Sequence, residues 1–73
     1  MLTVDLKKMK KLRKKQMSLE QMSSKLGYGS PNGYYYLETG HSKISAEMLA
    51  KVAMILKVPI TDFFVDDRNS QDD

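Results

Sequence analysis

The stretch Ser18-Leu19-Glu20-Gln21-Met22-Ser23-Ser24-Lys25-Leu26-Gly27 holds both a helix start and a helix stop. Ser18 stands at an N-cap position, and Gln21 three residues on completes a capping box. Met17 and Met22 have the spacing of a hydrophobic staple around that start. Gly27 falls at C′, where a helix commonly ends in a left-handed residue. The spacing therefore predicts a helix over 18–26. Gly27-Tyr28-Gly29 reads as a turn, and Ser30-Pro31 as a second start, because proline at N1 lacks an N–H that no helix needs there. A further helix is predicted over Ser30–Thr39, stopping at Gly40, with Tyr34 and Leu37 inward. Its Gly33 weakens it by about 1 kcal/mol relative to alanine, so tertiary packing must hold it in place.

N-terminal to this stretch, Leu6, Met9 and Leu12 recur at helical spacing inside a run where seven of the nine residues 7–15 are Lys or Arg. An amphipathic helix over about 4–16 is expected, with Asp5 near its positive end. After the loop Gly40-His41-Ser42-Lys43, Ser45 is a good N-cap, and Ile44 with Leu49 repeats the staple. Met48, Leu49, Val52, Ile55 and Leu56 form the strongest apolar stripe, predicting a fourth helix to about Lys57. Val58-Pro59 breaks it. A short fifth helix is read from Ile60-Thr61-Asp62, with Thr61 as its cap and Phe63 or Phe64 facing inward. The expected fold is all-α: a compact five-helix bundle over residues 1–65, followed by an acidic tail over 66–73 too polar to fold. No strand pattern is visible.

Composition narrows the function. Seventy-three residues allow one small core and little depth for an active site. There is no cysteine, hence no disulfide, thiol nucleophile or cysteine-based zinc site, and a reducing, cytoplasmic setting is expected. The single histidine, His41, has no ligand-spaced neighbours, so neither a metal nor a cofactor is expected. No nucleophile–base pair and no glycine-rich phosphate loop occur, and an enzyme is not expected. The net charge of +3 is unevenly spread, at +6 over residues 1–45 and −3 over 46–73. A cationic end of this kind is the footprint of a polyanionic partner. An apolar face as narrow as that of Leu6, Met9 and Leu12 is needed for the core, which argues against a membrane partner.

The two central helices and the turn between them form a helix-turn-helix arrangement. Ser18 to Gly27, followed by Tyr34-Tyr35-Tyr36-Leu37-Glu38-Thr39-Gly40, resembles the lambda-repressor-like (Cro/Xre-type) DNA-binding domains. Leu56-Lys57-Val58-Pro59-Ile60-Thr61-Asp62-Phe63-Phe64 resembles their closing segment. The likeness spans roughly residues 5–65. Four departures stand out: Ser23 replaces a small alanine, Gly29 looks inserted, the link from Arg13 to Ser18 is one residue short, and Leu19 stands where many members place a phosphate-holding glutamine.

The resemblance implies that helix three enters the major groove of double-stranded DNA. Leu37 and Tyr34 then take the buried positions, and Pro31, Asn32, Gly33, Tyr35 and Tyr36 the outward ones. Asn32, Gly33, Tyr35 and Tyr36 are the candidate base-reading residues, Asn32 foremost, because its amide can pair with adenine N6 and N7. Phosphates are expected at Ser18, Tyr28, Ser30, His41, Ser42 and Lys43, with Lys14 and Lys15 adding attraction. The resemblance also implies a structural pair between Arg13 and Glu38. The reading surface lacks Arg, Lys and Gln, so bidentate guanine contacts are absent, and A·T-rich sites read partly by shape are expected. A sequence-specific transcriptional regulator is the expected function: a repressor of bacterial or phage type, binding as a homodimer. Exposed Phe63, Phe64 or Val65 of the fifth helix are candidate contacts that the sequence alone does not decide between or against other surfaces. The alternative is a protein-interaction module, an antirepressor or regulatory partner that keeps the fold without base reading.

Overall fold

The computed structural model describes residues 2–66. Strand β1 (Leu2–Val4) is followed by α1 (Leu6–Gln16), α2 (Leu19–Lys25), α3 (Pro31–Glu38) and α4 (Ala46–Leu56). A 3-10 turn (Ile60–Phe63) then leads into strand β2 (Phe64–Asp66). Local signals set most helix boundaries. Asp5 caps α1 by accepting from the Lys8 N–H at 3.1 Å, and the Ser45 side chain accepts from Met48 N–H at 3.1 Å to start α4. The Ser18–Gln21 capping box is complete: Gln21 N–H donates to Ser18 Oγ at 3.1 Å and Ser18 N–H to Gln21 Oε1 at 2.9 Å. Gly27 has a φ of 90°, the left-handed backbone expected past the end of α2.

The core collects Met9 from α1, Met22 from α2, Tyr34 and Leu37 from α3, Leu49, Val52, Ala53 and Leu56 from α4, and Phe63 from the 3-10 turn. Helices α2 and α3 are the most closely packed helix pair, and α1 lies against both and against α4. Gln16 ties α1 to the end of α4, its Nε2 donating to the Leu56 carbonyl at 2.8 Å. That carbonyl is one of the orphans left at a helix C-terminus.

Several expectations are corrected. The fifth helix is a single 3-10 turn of four residues, capped in position by Pro59 rather than Thr61 and without a side-chain cap bond. Too few residues separate Pro59 from the following strand for an α-helix to close its hydrogen-bonded turns. Strands, unseen in the sequence, are present: β1 and β2 pair antiparallel, with Leu2 opposite Asp66, Thr3 opposite Val65 and Val4 opposite Phe64. The first helix accordingly begins at Leu6, because Val4 belongs to β1. Finally, Phe63 is fully buried and cannot supply an exposed dimer contact, whereas Phe64 remains 39% exposed. Asp66, assigned to the tail, ends β2. The rest of the expected tail, 67–73, lies outside the described residues.

Candidate nucleic-acid interface

Two contacts set α3 against α2 and the turn that follows it. Ser23, buried in α2, accepts from the Tyr34 N–H at 3.1 Å and donates its own hydroxyl to the Pro31 carbonyl at 3.3 Å. The hydroxyl that departs from the usual alanine is thus a hydrogen-bonded clamp on the first turn of α3. The second contact explains Gly33. A Cβ there would meet the ring of Tyr28 closer than carbon atoms approach, so glycine lets the tyrosine lie along the helix. Gly33 therefore offers the surface no side chain, and Tyr28, half-buried, covers that position from the preceding turn.

The far end of α3 is anchored by charge. Arg13 and Glu38 form a bidentate pair, Nη2 to Oε1 at 2.8 Å and Nε to Oε2 at 3.1 Å, while Arg13 Nη1 donates to the Met17 carbonyl at 3.2 Å. Both side chains are nearly inaccessible, at 7% and 2%. The hydrogen bond to Glu38 raises the Arg13 pKa still further. Tyr34 Oη is buried beside this pair without a hydrogen bond of good geometry. Burial first, and the nearby Glu38 carboxylate second, push its phenol well above the ordinary tyrosine range.

With Tyr34, Leu37 and Glu38 inward, α3 presents Pro31, Asn32, Tyr35 and Tyr36 to solvent. The rings of Tyr35 and Tyr36 lie 6.1 Å apart, and Tyr36 meets His41 at 4.9 Å. Ser42 N–H donates to the Tyr36 carbonyl at 3.0 Å, folding the His41-Ser42-Lys43 loop back beside the exposed face of α3. These three loop residues are all exposed. Ser30 is the N-cap of α3, but its side chain makes no cap bond to the first-turn amides. Its hydroxyl, with the first-turn amides of Asn32 and Gly33, is left for an outside acceptor.

Of the other expected phosphate residues, Ser18 Oγ accepts one bond in the capping box and keeps its O–H to donate. Lys14 and Lys15 are exposed in the last turn of α1. Two residues not foreseen, Glu20 and Ser24, line a notch of about 210 Å³ with Tyr28, Ser30 and Pro31. Their spacing along the exposed face of α2 was the only available signal. Among the described residues no group of three His, Cys, Asp or Glu could hold a metal. No helix among them is long and apolar enough to cross a membrane.

A short helix clamped onto its neighbour across a turn, with its outer face free, defines a helix-turn-helix reading module. The helix-turn-helix family model of Cro/C1 type matches residues 9–63, and the chain belongs to that family of DNA-binding domains of transcription-regulator type. No curated protein and no solved structure gave a match.

Proposed function

We propose that the chain is a sequence-specific transcriptional repressor of bacterial or phage type, acting in the cytoplasm, that lays α3 in the major groove as a homodimer. The supporting observation is the arrangement at α3. Asn32, Tyr35 and Tyr36 share its exposed face, unused donors at Ser30 and the first-turn amides sit at one end, and the His41-Ser42-Lys43 loop flanks the other. Base edges are read from the face and phosphates are held from its two ends. Asn32 pairs with adenine, Tyr36 contacts a base edge or thymine methyl, and Tyr35 lies against backbone. Ser18, Tyr28, Ser30, Lys14, Lys15 and the loop position the duplex. Repression requires only occupancy of the site, which a single reading domain supplies.

The test is fluorescence anisotropy against random duplex DNA at about 50 and 200 mM salt, followed by selection and sequencing of the bound fraction. Enrichment of an A·T-rich motif with half-sites about ten base pairs apart supports the reading. Binding erased by salt without enrichment would instead favour a protein-interaction module.

A further inference from the structure

The β1–β2 sheet has only two strands among the described residues, so β1 has one neighbour and one outer edge. The Asp5 N–H donates to the Phe63 carbonyl at 2.6 Å, which extends the ladder by one pair and fixes its alternation. In an antiparallel ladder the backbone groups of Thr3 then face β2, and those of Leu2 and Val4 face outward.

A groove of about 360 Å³ runs along that outer side. Thr3 and Val4, whose side chains leave opposite faces of the strand, both line it, and no residue of β2 does. Leu6, Leu37 and Ile44 supply its apolar wall, and Ser42 and Lys43 its polar rim. Beside this hole stands a knob: Leu2 is 66% exposed, two residues from Val4 on the same strand face.

We propose that β1 is the dimerisation strand, pairing antiparallel with β1 of a second copy about a two-fold axis at Thr3. Knob and hole on one strand edge are self-complementary, as an isologous contact requires. Centred on Thr3, the pairing sets Leu2 of each copy opposite Val4 of the other and inserts it at the groove. The outward backbone groups of Leu2 and Val4 gain partners at the same time. The sheet becomes four-stranded, with two of its three-residue strands at the dimer axis. Strands this short bury far less than the roughly 1,200 Å² of a stable interface, so the free dimer is weak, and two half-sites on one duplex strengthen it through effective concentration. The rim residues Ser42 and Lys43 belong to the loop assigned to phosphate contact, so pairing brings both loops toward the dimer axis. The strengthening on one duplex and the placing of the loops rest on the DNA-binding reading; the strand pairing itself does not.

The test uses the protein without DNA, so its failure is distinct from a failure to bind DNA. The chain lacks cysteine, and Thr3→Cys therefore introduces a single thiol that should face its own copy across a non-hydrogen-bonded pair, about 4.5 Å between Cα atoms. Under a glutathione redox buffer, Thr3→Cys is expected to form a covalent dimer at least tenfold faster than Met54→Cys, which is 77% exposed on α4. Adding Leu2→Asp to Thr3→Cys should abolish that advantage, with unchanged circular dichroism showing that the fold persists. Sedimentation equilibrium at millimolar concentration should show reversible dimers of the unmodified chain, lost in Leu2→Asp. Equal crosslinking rates at Thr3 and Met54, or a chain monomeric at millimolar concentration, would overturn the proposal. So would a dimer indifferent to Leu2→Asp, or capture at this edge of an extended peptide from another protein in place of a second copy.

Discussion

The ring of Tyr28 occupies the space that a side chain at Gly33 would need. Two opposing effects meet there. Alanine in place of a helical glycine gains about 1 kcal/mol of helix propensity, while overpacking costs about 1–3 kcal/mol. Because the clash involves Tyr28 Cγ near the root of a half-buried side chain, the overpacking cost wins. Gly33→Ala is expected to destabilise the domain by about 1 kcal/mol, and to stabilise it in a Tyr28→Ala background. Urea denaturation of the four variants measures this reversal of sign, and additive effects would refute the contact.

The Arg13–Glu38 pair gives a larger effect. Removing one partner leaves a buried charge uncompensated, at a cost of about 3–5 kcal/mol, whereas replacing both by apolar residues avoids that cost. Glu38→Gln should therefore lower stability by about 3 kcal/mol, and Arg13→Met with Glu38→Leu should recover most of it. Thermal melts of Glu38→Gln matching the unmodified chain would contradict a buried, compensated pair.

Tyr34 sets a pH dependence at the alkaline end. Its phenol titrates higher in the folded chain than the unfolded value of about 10. Above that pH the unfolded chain releases a proton that the folded chain keeps, so the unfolded state gains. The Tyr34 contribution is whole below about pH 10 and is lost as pH rises beyond it, at about 1.4 kcal/mol per pH unit. Tyr34→Phe should remove that slope. It should not weaken the fold at pH 7, because the lost hydroxyl has no hydrogen bond of good geometry. Stability measured from pH 7 to 11.5 in both proteins decides it.

On DNA, positions assigned to bases and to phosphates should fail differently. Asn32→Ala is expected to lose about 1–3 kcal/mol of affinity for the selected site while its binding to random duplex is unchanged. Lys14→Gln, Lys15→Gln and Lys43→Gln should each weaken both and reduce the log–log salt slope by about 0.9 where the lysine neutralises a phosphate. Anisotropy titrations on selected and random duplexes separate the two patterns, and equal losses on both for Asn32→Ala would remove it from base reading.

What the sequence made legible was what short segments encode by themselves. The capping box at Ser18 and Gln21, the start at Ser45 and the stripe of α4 are local signals, and each marks a real boundary. The buried faces of α3 followed from where Tyr34, Leu37 and Glu38 fall. Contacts between segments were another matter. Gly33 read as a weakness because its compensation is a ring from the preceding turn. Ser23 read as a departure because its two partners lie on the next helix. Three-residue strands are too short to show alternation, and Thr61 looked like a cap because nothing in the segment revealed how soon β2 begins. The outer edge of β1 was invisible for the same reason.

The pairing of β1 with β2 joins residues about sixty positions apart. Closing a loop of that length costs about 3–4 kcal/mol of chain entropy before any ladder bond repays it. Tension applied at the two chain ends would reach Leu2 and Asp66 before any other pair and part the ladder one rung at a time. Under force the domain is therefore expected to open from its sheet, while the clamp of Ser23 and the ion pair of Arg13 still hold α3 in place.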